Sequence, residues 1–130
     1  MAGHWSELLG WDEEKIEEIR FFGFSLLREG KYERARLIFE VLLILDKDSI
    51  LDRQNLGALY LQMNENQKAV EQFNKVLEKL PEDEQTLLNK AKALFMLHQN
   101  QAAIEIVQKL SKSTNVTIAN DADALMMVHA

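Results

Sequence analysis

The 130-residue chain has no cysteine, a single proline and five glycines. Without thiols it can build neither a disulfide framework nor a thiolate metal site. So few helix breakers leave room for long helices and argue against a turn-rich all-β fold. No run approaches the roughly 18 apolar residues that a membrane-spanning helix needs; the stretch Val41 to Leu45 is far too short. The opening Met1-Ala2-Gly3-His4-Trp5-Ser6-Glu7 lacks the basic start and apolar run of a secretion signal. A cytoplasmic protein without membrane insertion is therefore expected. There is no basic surplus either. Fifteen Lys and Arg stand against 21 Asp and Glu, a formal charge of -6, which speaks against a nucleic-acid partner.

Catalytic signatures are missing as well. His4, His98 and His129 are the three histidines, and they share no metal-ligand spacing with one another. The sequence contains no Gly-rich phosphate loop, no Gly-x-Ser-x-Gly and no His-Glu-x-x-His. Asp12-Glu13-Glu14 reads more simply as a helix start, where carboxylates favour the dipole. Asn115-Val116-Thr117 fits a glycosylation sequon but reads as accidental without a secretion signal. The expectation is no enzyme, no metal and no cofactor.

What is present is a repeat. Shifted by 34 residues, the sequence overlays itself: Gly23, Gly57 and Ala91 align, as do Leu26, Tyr60 and Leu94, then Ala35, Ala69 and Ala103, then Phe39, Phe73 and Val107. The small residue on each first helix and the Ala on each second helix permit close helix approach. The large residue four positions beyond that Ala shares its helix face and fills the space between units. An ordinary bundle could use the same residues, but it would need no fixed period.

The turns repeat too. Gly30, Asn64 and His98 fall between the two helices of each unit, where a residue at positive φ ends a helix. Asn66 and Asn100 are expected to cap the second helices, Pro81 to stop one, and Asp83 to cap the next. Helices are expected at about 13–29, 32–46, 50–63, 67–79, 84–97 and 101–112, in units 16–49, 50–83 and 84–117 within one domain. Ile118, Leu125, Met126 and Val128 recur at helical spacing, as expected of a capping helix over about 116–129 that closes the last unit. Trp5, Leu8, Leu9 and Trp11 would cap the other end or contact a second subunit.

These residues resemble the tetratricopeptide repeat over about four fifths of the chain. The resemblance implies an all-α superhelix of three helix-turn-helix units plus a terminal cap, with first helices lining a concave groove that binds segments of other proteins. The match weakens in the third unit, where Val107 replaces the usual aromatic and Asn115 stands where the second unit has Pro81.

A narrower resemblance rests on Gly30-Lys31-Tyr32-Glu33-Arg34-Ala35 with Phe39, Leu42 and Leu45-Asp46, and on Leu56-Gly57-Ala58. These stretches are similar to type III secretion chaperones of bacterial virulence systems. That similarity implies a secreted translocator subunit, or a needle subunit handled with a small co-chaperone, as partner. A homodimer and a general scaffold or adaptor stay open.

The register gives a candidate groove. In the first unit it comprises Glu17, Arg20, Phe24, Leu27 and Arg28. In the second it comprises Leu51, Gln54, Ala58, Leu61 and Gln62. The third supplies Gln85, Leu88, Lys92, Phe95 and Met96. About half are large and apolar, which on an exposed surface marks an interaction site; the alternative is that the face is misplaced and they are core. Phe24, Ala58 and Leu88 also occupy positions where some repeat domains hold a partner's terminal carboxylate with Lys, Arg and Asn, so a carboxylate clamp is not expected. An apolar helix, or a strand with spaced apolar anchors, is the better ligand.

Overall fold

The computed structural model describes residues 4–129, with side chains from Glu7 onward. Trp5 therefore lies outside the described side chains. The described residues form eight helices: α1 His4–Leu9, α2 Glu13–Arg28, α3 Tyr32–Leu45, α4 Ile50–Gln62, α5 Asn66–Lys79, α6 Glu84–Met96, α7 Asn100–Leu110 and α8 Val116–His129. The expected boundaries hold to within two residues, and α1 was not foreseen.

Local chemistry accounts for the starts. Asp12 Oδ1 accepts the Lys15 backbone N–H at 2.9 Å, Ser49 Oγ that of Asp52 at 3.2 Å, and Asp83 Oδ2 that of Thr86 at 3.1 Å. Asn115 accepts from Thr117 and Ile118 at the head of α8, which gives the sequon asparagine a structural task.

The ends of α2, α4 and α6 are one motif used three times. Gly30, Asn64 and His98 sit at φ 74°, 62° and 62°. The following N–H groups of Lys31, Glu65 and Gln99 reach back to the carbonyls of Leu26, Tyr60 and Leu94 at 2.8–2.9 Å. This is the Schellman closure, which satisfies last-turn carbonyls. Because it delivers the chain straight into the next helix, Asn66 and Asn100 are first helical residues rather than caps. The residues before them, Glu65 and Gln99, make no side-chain cap. Asn66 is buried and donates its amide to Asn64 at 2.9 Å.

Packing follows the repeat. α2 lies on α3, α4 on α5 and α6 on α7, and successive pairs join through α3–α4 and α5–α6. α8 packs on both α7 and α6, the place a further first helix would take. Ala35, Ala69 and Ala103 have no exposed surface, and Phe39, Phe73 and Val107 have at most 1%. A Cβ on Gly57 would stand 2.5 Å from the Phe73 ring, and one on Gly23 3.0 Å from Ile38. The small residues are thus what let each pair close. At the N-terminal end α1 packs against α3, and Trp11 is half-buried against the core. No helix among the described residues is long and apolar enough to cross a membrane.

Candidate functional site: the concave groove

The first helices α2, α4 and α6 follow one another along the inner side, with α8 after them. Between α4 and α6 lies an open recess of about 430 Å³ lined by Ala58, Leu61, Gln62, Asn64, Asn66, Asn89, Lys92 and Met96. Between α6 and α8 a second, of about 280 Å³, is lined by Lys92, Asp121, Ala124, Leu125 and Val128. Lys92 borders both, so the two form one trough with a single cation at its centre. The lining combines apolar side chains with carboxamides, a mixture that can seat apolar side chains and still hydrogen-bond a backbone.

Six candidate residues lie open or half-open here: Ala58, Leu61, Gln62, Lys92 and Met96 line the recess, and Leu51 is half-exposed near the start of α4. Phe24 and Leu27 on α2 are half-buried. The Phe24 ring meets Phe39 edge-on at 5.6 Å, so it is partly committed to the core.

Three candidates need correction. Leu88 is fully buried and Phe95 is 2% exposed. Phe95 stacks on the His129 ring at 4.5 Å and 9°. The stack places the Phe95 ring against α8. Both are interior residues, not open groove anchors.

Arg20 is the third. Its guanidinium makes two bonds to the Asp52 carboxylate, at 2.7 and 2.8 Å, and a further contact to Glu17. Asp52 is 1% exposed. The hydrogen bond to Asp52 holds Arg20 well above its ordinary pKa, against the opposing effect of burial. Arg20 therefore closes the seam between α2 and α4. Gln54, 34 residues later, faces Asp83 and Thr86 on α6 in the same manner, though its contacts are long, 3.4 Å each.

Three features escaped the sequence reading. Asn89 lines the α4–α6 recess, and Phe21, 68 residues earlier in the same register, is 65% exposed with Arg28 lying 5.7 Å over its ring. The α8 stripe Asp121, Ala124, Leu125 and Val128 also lines the trough. Helical spacing in this segment was visible at Ile118, Leu125, Met126 and Val128, but which face would meet the groove was not.

No protein-family model matches the chain, and no curated protein sequence matches it. Solved structures do match. The chain is similar to PcrH of Pseudomonas aeruginosa in complex with the chaperone binding region of PopD: TM-score 0.80, 19% identity, covering 92% of this chain and 93% of that one. It is similar to a type III secretion complex from Aeromonas hydrophila, with TM-score 0.83, 18% identity and coverage of 97% and 87%. It is also similar to the Yersinia enterocolitica translocator chaperone SycD, at TM-score 0.79, 17% identity and coverage of 96% and 98%. MamA from Desulfovibrio magneticus RS-1 shares the helical array at TM-score 0.70 and 24% identity, but the chain spans only 55% of it. The fold is that of the tetratricopeptide-type secretion chaperones.

Proposed function

We propose that this protein is a chaperone that holds an apolar or amphipathic segment of a secretion-system subunit in its concave groove and keeps that subunit soluble before export. The observation that carries the reading is the trough along α4, α6 and α8, apolar through Ala58, Leu61, Met96, Ala124 and Leu125 and open along its length. The structural likeness supports it in a specific way. The match to PcrH and SycD covers more than nine tenths of each chain in both directions, so the likeness extends over the whole array rather than over a single repeat. The agreement with MamA is partial, covering 75% of this chain and 55% of that one.

The groove residues proposed to meet the segment are Phe24, Leu27, Leu51, Ala58, Leu61, Lys92 and Met96, with Phe21, Asn89 and Leu125 added from the structure. Their work is non-covalent. Aliphatic and thioether side chains desolvate the partner's apolar residues, and Gln62 and Asn89 offer hydrogen bonds to its backbone. The protein acts before export, on the cytoplasmic side, and needs no cofactor for it.

The test is co-expression with each translocator and needle subunit of the same secretion apparatus. One of them should stay soluble and co-purify only when this chain is present. If none does, and the chain instead bridges two proteins that are each soluble alone, the adaptor reading takes its place.

A further inference from the structure

The groove can be compared unit by unit, because the 34-residue register repeats one of its central positions. Phe24 on α2, Ala58 on α4 and Lys92 on α6 are equivalents. The first two units are apolar there, and the third carries an ammonium. Lys92 is half-buried and borders both recesses of the trough. Among the described residues it is the single charged one lining the α4–α6 recess, where its neighbours are aliphatic, thioether and carboxamide side chains. In the α6–α8 recess it shares the lining with Asp121, which is exposed. No ion pair among the described residues includes Lys92.

A segment that fills both recesses covers this ammonium from two sides. Lysine offers three donors and no acceptor, and burying a charge without a partner is costly. A wholly apolar segment therefore meets a penalty at the middle of the trough. A carboxylate removes it through a charge-assisted hydrogen bond. The α4–α6 recess holds a second unmet polar group. Asn66, 8% exposed, lines it; its amide donates to Asn64, and its Oδ1 is buried without a partner. An N–H of the incoming segment can satisfy that oxygen while a carboxylate meets Lys92.

We infer that Lys92 is a specificity-determining residue of the groove, selecting apolar segments that carry an Asp or Glu between their apolar anchors. This deepens the chaperone reading of the trough and rests on it. The carboxylate belongs to a side chain within the segment, not to a chain end. Lys92 lies between the two recesses, and a terminus there would leave one of them empty. The acid sits on the α4 side, since Asp121 on the α8 side repels it. Segments without the acid are rejected because they bury Lys92 unpaired.

The experiment is selection from a phage-displayed library of random peptides of about 15 residues. That is enough to cross three helices about 10 Å apart, whether extended or helical. The targets are the full chain as wild type, Lys92→Met, Lys92→Glu, Lys90→Met and Met96→Glu, with thermal unfolding as the fold control. The wild type should enrich apolar peptides with an acidic residue between apolar ones. Lys92→Met should lose the acidic preference, and Lys92→Glu should replace it with Lys or Arg. Lys90, two residues away on α6, lines neither recess, so Lys90→Met should select as the wild type does. For one selected peptide, Glu→Gln in the peptide and Lys92→Met in the protein should each weaken binding about tenfold, and the two together little more than either. Amidating the peptide's C-terminus should leave its affinity unchanged; a loss would give the site to a terminal carboxylate and overturn the assignment. An acid-free apolar motif on the wild type, an acidic preference that survives Lys92→Met, or one that Lys90→Met also abolishes overturns the role of Lys92 and leaves the function of the groove standing. A library that yields no peptide sensitive to Met96→Glu overturns both.

Discussion

The two ends of this superhelix are finished in opposite ways. At the C-terminal end α8 seals α6, and Leu88 and Phe95 are at most 2% exposed. At the other end Phe22 on α2 is 54% exposed although Leu56, its register mate, is buried. The seams between successive first helices differ as well. The position occupied by Arg20, Gln54 and Leu88 is an ion pair at the α2–α4 seam, an amide contact at α4–α6 and a fully buried aliphatic side chain on α6. Whether a repeat position is core or surface is thus decided by what lies one helix further on. The residue itself only says what kind of contact it can make there.

The largest effects should come from the sealed end. Phe95→Ala should cost about 3–5 kcal/mol, as should Phe39→Ala or Phe73→Ala. Phe22→Ala at the open end should stay within about 0.5 kcal/mol. Urea unfolding of the two end variants compares them directly. Equal losses would mean that the N-terminal end is also covered.

The ionic seam should come next. Arg20→Met leaves Asp52 buried with only the Ser49 hydroxyl, at 2.9 Å, as a side-chain partner. Removing one member of such a pair should cost about 3 kcal/mol, read from the same titration. Gly57→Ala drives a methyl into the Phe73 ring, and the overpacking should cost about 1–3 kcal/mol. A Gly57→Ala protein as stable as the parent would show that the α4–α5 contact is looser than described.

The smallest effect is a pH dependence at the α3–α4 joint. Burial, aided by the hydrogen bond to Glu40, pushes the Tyr60 phenol up to about 12, from an ordinary value near 10. The folded state favours the protonated phenol, so the stabilisation is complete below about pH 10 and is lost as pH rises through 12. Thermal unfolding from pH 9 to 12 should show this decline in the wild type and a shallower one in Tyr60→Phe.

Much of this was legible in the sequence, for identifiable reasons. The 34-residue period forced the helix pairs, because small residues and aromatics must meet at fixed intervals. Gly30, Asn64 and His98 declared the left-handed turns through their tolerance of positive φ. Asp12 and Asp83 declared helix starts. The Asn66 and Asn100 caps were misjudged because the Schellman turn consumes the residue before them, leaving no room for a separate cap. Leu88 and Phe95 were misjudged because their burial depends on where α8 docks, and the periodicity of α6 carries no trace of that. Arg20 was misjudged because its partner Asp52 lies 32 residues away on another helix.

The central claim is that the trough along α4, α6 and α8 holds an apolar segment of a secreted subunit. Phe95 cannot test it, being interior, and Phe24 is compromised by its contact with Phe39. Ala58 and Met96 are the better probes, since both line the recess and both are exposed. The decisive measurement is a calorimetric titration of the subunit that co-purifies with this chain into the wild type, Ala58→Glu and Met96→Glu. Each carboxylate should cost about 2 kcal/mol of binding, a roughly thirtyfold loss, while the melting temperature stays within a degree or two of the parent. Full-strength binding by both variants, with the fold intact, would contradict the account.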